Sequence, residues 1–242
     1  MSLKVESGIK SLDDEINGGY PIKKLTLIYG EEKSGKTSLA LQAAINNSLK
    51  NRKTIWIDCG MHLHPERISI ALENKNIEKD LIIFLRPKTF EEQTRIVEEI
   101  PFLMNEKIKL IIFENYNELH RIIFGDIKKD LSIFKDLSFQ VAYLKSIAFK
   151  WEVPLIVTAQ IHKVLIGEEA IEEPVAARIS KYWADIIIKL QNLAGKNIKK
   201  MIIEKGGKSE KKEIFFRITE YGIEEVYENK EYHNSDISIK NK

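Results

Sequence analysis

The chain has 242 residues, a formal net charge of +2, 43% hydrophobic and 31% charged residues, enough to bury one large α/β core. Its balanced charge gives no global pull toward nucleic acid or a membrane, no apolar run approaches the ~20 residues that span a bilayer, and the N-terminus has no signal-peptide pattern, so a cytoplasmic protein is expected. A single cysteine, Cys59, excludes an internal disulfide and suits a reducing compartment.

In chain order, the first strong element is the apolar run 25–29 (LTLIY), which predicts a buried strand. Residues 30–37 then read GEEKSGKT, a complete G-x-x-x-x-G-K-[ST] phosphate-binding loop. Gly30 and Gly35 permit a tight turn whose backbone N–H groups converge on an anion. Lys36 supplies charge for the β- and γ-phosphates and Thr37 a hydroxyl for Mg²⁺. Glu31, Glu32, Lys33 and Ser34 fill the loop, and Ser38 follows it. From Thr37 to Leu49 the apolar spacing of Leu41, Ala44, Ile45 and Leu49 is helical. Strand, loop and helix N-terminus is the order a phosphate site needs, because the helix dipole faces the anion.

Further apolar runs at 54–58, 81–85, 109–114 and 154–159 predict strands buried on both faces, as in a parallel sheet covered by helices. Between them, Thr89 with Glu92 has the spacing of a capping box. Leu137, Val141, Leu144, Ala148 and Trp151 form one apolar stripe along a helix. Residues 161–177 are expected to be a loop. Runs at 185–190, 200–204 and 213–218 predict shorter, antiparallel strands, with Gly206-Gly207 at a turn. The whole predicts a doubly wound α/β fold in one domain over 1–225 and a polar C-terminal tail over 226–242.

Residues 7–44, SGIKSLDDEINGGYPIKKLTLIYGEEKSGKTSLALQAA, resemble the opening of the RecA/RadA recombinase core. DCGMHLHPERI at 58–68 is similar to the RadA stretch DTE-x-x-F-R-P-E-R-I. The run 109–114 with residues 115–121 parallels the Walker B segment, and VTAQ at 157–160 the strand that ends in a γ-phosphate-sensing glutamine. The likeness spans about residues 7–224. It is nearest to archaeal RadB and RadA paralogues, cores with no N-terminal helical DNA-binding domain; FEEQ at 90–93 and ARISKYWADIIIKL at 177–190 also fit RadB-like proteins. The resemblance implies a RecA-like P-loop NTPase core, mostly parallel with antiparallel C-terminal strands, that binds ATP and Mg²⁺. It also implies a role in recombination or repair, with single-stranded DNA and the main recombinase as partners. Lys36, Glu114 and Gln160 are the implied catalytic set. Residues 30–38 hold the nucleotide, and Thr37 and Glu114 the metal, partly through water. A homo-oligomer is compatible, but a long filament is not expected, because only six residues precede Ser7 where the family's polymerisation segment would lie.

Three departures qualify the resemblance. Gly60 stands where RadA-like proteins place the glutamate that polarises the attacking water, so slow hydrolysis is expected, with Glu66, His62 and His64 as substitute candidates. Lys33 stands where the family usually has glycine; it could touch phosphate or remain solvated. At 205–207, Lys-Gly-Gly replaces a basic cluster, leaving Lys205 or Lys208 as candidates for contact with a neighbouring subunit's nucleotide. For DNA, the first expected loop offers Arg121, Lys128 and Lys129 with aspartates between them. The second, 161–177, has one lysine against four glutamates. Residues 178–212 hold ten Lys/Arg against three Asp/Glu, so Arg178, Lys181, Lys199, Lys200, Lys205 and Lys208 form either a basic patch or a dispersed solvated surface. Cys59, His62 and His64 have ligand-like spacing, but no fourth ligand follows and metal binding there is not expected. The alternative from another class is a KaiC-like ATP-binding signalling or scaffold protein without DNA binding.

Overall fold

The computed structural model describes residues 4–60, 63, 65–121, 127–166, 169–174, 177–193, 197–220 and 222–227. Its centre is a sheet with strand order β10-β9-β8-β7-β1-β5-β4-β2-β3. β1 (Leu25–Gly30), β2 (Lys53–Asp58), β3 (Ile82–Leu85), β4 (Ile108–Glu114), β5 (Leu155–Ile166) and β7 (Ile186–Asn192) run parallel where they pair. β8 (Lys199–Lys205), β9 (Lys212–Thr219) and β10 (Gly222–Val226) extend it antiparallel. The expected α/β, RecA-like architecture is present.

Alternation along the strands divides the core in two. Ile28, Trp56, Ile112 and Ile156 face one side, packed with Leu39, Ala43 and Ala44 of α2 (Lys36–Ser48) and Leu12 of α1 (Lys10–Glu15). On the other side Leu27, Ile57, Phe113 and Val157 meet α4 (Phe90–Leu103) and α6 (Ile127–Trp151). Burial of both strand faces explains the unbroken apolar runs. Four of the five residues in the predicted α6 stripe, Leu137, Val141, Leu144 and Ala148, are fully or nearly fully buried, and Trp151 is half-buried. The capping box is modified: Thr89 Oγ1 accepts from Glu92 N at 3.1 Å, while Glu92 Oε2 accepts from Lys88 N at 2.7 Å.

Two elements differ from the sequence expectation. The stretch 161–177 is not a loop throughout: β5 continues to Ile166 and β6 (Glu169–Pro174) returns antiparallel to it, in register from Ile161↔Pro174 to Ile166↔Glu169. The β-favouring run IHKVLI accounts for the extension, and the glutamates in the return strand disguised it as a polar loop. β10 is also an additional strand, tied to α2 by Gln42, whose Oε1 accepts from Ile223 N at 2.7 Å. Between them lies α7 (Ala177–Trp183). Most of the expected tail, from residue 228, lies outside the described residues.

Candidate nucleotide site

The phosphate loop leaves the C-terminal end of β1, the central parallel strand, where open α/β sheets place their ligands. Gly30 pairs with Leu190 of β7 on one side and Gln160 of β5 on the other. An added Cβ at Gly30 would lie 2.1 Å from the Leu190 carbonyl oxygen, so only glycine allows this approach. Gly35, at φ 105°, caps α2, and the helix begins with Leu39 N donating to Gly35 O at 2.9 Å. The amides ahead of that bond point out of the helix N-terminus, toward where an anion would sit.

Lys36 is buried and donates to the carbonyls of Gly30 at 3.1 Å and Glu31 at 2.6 Å, across the mouth of the loop. Burial holds its ammonium pKa below the ordinary lysine value, opposed by the charges of Glu114, Glu32 and Glu31. Thr37 Oγ1 donates to Glu114 Oε1 at 2.5 Å, and Thr158 Oγ1 donates to Glu114 Oε2 at 2.8 Å. Thr158 Oγ1 in turn accepts from Asn115 N at 2.8 Å. Burial raises the Glu114 carboxyl above its ordinary range. The two hydroxyls and Lys36 oppose that rise, and Asp58, opposite it on β2, adds to it.

A cavity of about 370 Å³ is bounded by Glu32, Lys33, Lys36, Thr37, Asn115 and Gln160, with Ile218 at its wall. Thus four residues from three separate sequence segments, Lys36, Thr37, Glu114 and Gln160, meet at one end of the sheet. The donor set fits MgATP. Thr37 gives its proton to Glu114, which leaves hydroxyl lone pairs for a hard cation, and the adjacent carboxylate suits a metal-bound water. Lys36 and the outward amides suit phosphate oxygens. Thr158 and Asn115 were not singled out by sequence reasoning. Thr158 lies inside the VTAQ motif, so its position was visible but its partner was not.

Around this centre the other candidates divide. Gly60 directly follows Cys59, whose N donates to the Glu114 backbone carbonyl at 3.2 Å, so it stands next to the paired ends of β2 and β4 and offers no side chain. Glu66 is exposed on α3 (Pro65–Glu73), and His62 and His64 lie outside the described residues. Cys59 is buried, and burial pushes its thiol pKa well above the ordinary value, which makes it a poor metal ligand. No group of three His, Cys, Asp or Glu side chains able to hold a metal ion occurs among the described residues.

The side chains of Arg121, Lys128, Lys129 and Arg178 lie outside what the structure describes. Lys181 sits over the Tyr29 ring at 5.8 Å, and Lys200 pairs with Glu213 at 3.0 Å. Lys199 donates to Lys33 O at 2.7 Å and Lys205 to Ala184 O at 2.6 Å. Lys208 is exposed in the β8–β9 turn, its backbone N bound to Glu15 O. Each of these five has its own local environment. Lys199 and Lys200, as neighbours on a strand, point to opposite faces.

The Rad51 family model matches residues 1–226. The chain is 32% identical over 225 residues to the DNA repair and recombination protein RadB of Methanococcus maripaludis (strain C7), covering 91% of this chain and all of that one. It is 28% identical over 227 residues to RadB of Thermococcus kodakarensis, covering 92% and 99% of the two chains. A crystal structure of the RadB recombinase superposes with a TM-score of 0.74 at 27% identity, over 92% of this chain and 100% of the other. With a family match over nearly its whole length and RadB proteins among its relatives, the chain belongs to the Rad51 family.

Proposed function

We propose that the chain is an ATP-binding RadA-type paralogue that assists homologous recombination or DNA repair. The observation that carries this is that Lys36, Thr37 and Gln160 line one cavity beside the ends of β1 and β4, while the fully buried Glu114 accepts a hydrogen bond from Thr37. Bound MgATP would supply the γ-phosphate whose presence Gln160 senses. The loop amides and Lys36 would hold the phosphates, and Thr37, with Glu114 fixed by Thr37 and Thr158, would hold the metal that neutralises them. Gln160 leads directly into the β5–β6 hairpin, so a nucleotide-dependent shift of Gln160 would act on that hairpin.

Hydrolysis is slow in this reading, because glycine at position 60 cannot take the proton of an attacking water. Loss of a general base costs about 10²–10⁴ in rate. The output is then binding: nucleotide state governs contact with single-stranded DNA or with the main recombinase. The KaiC-like alternative draws support from the local pairing of Lys199, Lys200 and Lys205, which leaves fewer cations for a phosphate backbone. ATP turnover and DNA binding, measured with and without single-stranded DNA and added recombinase, separate the two. Salt-dependent DNA binding that responds to MgATP supports the repair reading. ATP binding with no DNA or recombinase contact at low salt supports the alternative, and Lys36→Ala should remove any nucleotide response.

A further inference from the structure

The phosphate loop is held from outside as well as from within. Lys33, at φ 60°, occupies the left-handed region that an L side chain disfavours. Its carbonyl is taken by Lys199 at the start of β8, Nζ to O at 2.7 Å. Lys199 Nζ also donates to Asn192 Oδ1 at 2.7 Å, and the two residues pair across β7 and β8. Asn192 completes the strap: its Nδ2 donates to Glu31 Oε2 at 2.7 Å and to Glu32 O at 3.1 Å, while its backbone N reaches Glu31 Oε2 at 3.3 Å. Three consecutive loop residues, Glu31, Glu32 and Lys33, are therefore anchored by two residues of one strand pair.

We propose that Lys199 is a positioning residue for nucleotide binding, whose ammonium, oriented by Asn192, holds Lys33 in the left-handed turn that shapes the phosphate loop. The inference rests on the reading that this loop binds MgATP. A charged donor on a backbone carbonyl is a strong hydrogen bond, and here it selects one conformer of a residue that would otherwise favour right-handed backbone. Without it the loop spends part of its time in shapes that cannot cradle phosphates, and apparent affinity falls by the competent fraction. Burial lowers the Lys199 ammonium pKa and the Glu31 charge opposes this.

The test is a double-mutant cycle on the full chain, read by titration with a fluorescent ATP analogue and Mg²⁺. Lys199→Met should weaken binding about tenfold in the parent background. In the Lys33→Gly background the same change should cost less than about twofold, because glycine adopts the turn unaided. Equal losses in both backgrounds, or no loss in either, would overturn the proposal. Should Lys199→Met fail to fold, Lys199→Thr, a strand-favouring change too short to reach Lys33 O, removes the same contact and should reproduce the background-dependent loss. Hydrogen exchange at the amides of Glu32, Lys33 and Ser34 provides a readout without nucleotide. Faster exchange in Lys199→Met supports the brace, and unchanged exchange contradicts it. If the parent itself binds no nucleotide, the functional reading fails, and the exchange result alone judges the brace.

Discussion

The ends of β1 and β4 with the adjoining middle of β5, and the lysine-rich strands β7–β9, use polar residues in opposite ways. At the first, Thr37, Glu114 and Thr158 are drawn from distant segments into one hydrogen-bonded cluster, while Lys36 beside it is held by the carbonyls of its own loop. At the second, Lys199, Lys200 and Lys205 are neighbours in sequence yet take separate partners. Buried polar groups must satisfy one another, so the first region has one geometry. Exposed cations need not, so proximity in sequence does not make a patch. Nucleotide recognition should therefore be sharply sensitive to single substitutions, and nucleic-acid contact should be distributed and tolerant.

The strongest way to break the first region is Gly30→Ala. The new methyl would stand 2.1 Å from Leu190 O, forcing β1 from β7, and should destabilise the fold by about 3 kcal/mol. A chemical-denaturation midpoint equal to the parent's would show that the strands yield there without cost. Catalysis sharpens the same comparison. Gly60→Glu should raise steady-state phosphate release by roughly 10²-fold if only a base is missing beside an otherwise complete cluster. No gain would place the deficit elsewhere or reveal a base already at work.

Glu114 gives a pH test of how buried that cluster is. Its carboxyl is raised above the ordinary 4.5, first by burial, so the folded chain holds the proton more tightly than the unfolded one. Its contribution to stability is complete below pH 4.5 and is lost as pH rises through the raised value. Without metal or nucleotide, the parent should lose stability relative to Glu114→Gln as pH increases from 4.5. A difference that stays constant with pH would contradict a carboxyl that burial raises despite its hydroxyl partners and Lys36. The smallest effect belongs to the second region. Lys200→Ala should change the log–log salt slope of single-stranded DNA binding by less than about half a unit, since Glu213 already holds its ammonium. A fall of about one unit would mean that Lys200 reaches a phosphate.

The sequence disclosed those features whose causes are local. The phosphate loop is one contiguous run, and the apolar strands declare a sheet covered on both faces. The positions of Glu114 and Gln160 were legible from stretches that match family motifs, although only Glu114 ends its strand and Gln160 lies within β5, paired with Gly30. β6 was hidden because its residues, EAIEEP, read as acidic loop until pairing with β5 is known. The strap on the phosphate loop was hidden for another reason. Lys199 lies 166 residues from Lys33, has no motif of its own, and sits among lysines whose collective charge suggested a different use. Thr158 falls between these cases: its place was visible, but the carboxylate it holds is 44 residues away.

Calorimetric titration of the purified chain with ATP in the presence of magnesium bears most directly on the cluster at the ends of β1 and β4 with the adjoining middle of β5. A saturable heat at one site per chain, lost when magnesium is chelated and lost in Thr37→Val, is the predicted result. No heat for the parent, or equal heats for parent and Thr37→Val, would contradict the assignment of this cavity to a metal-bound triphosphate.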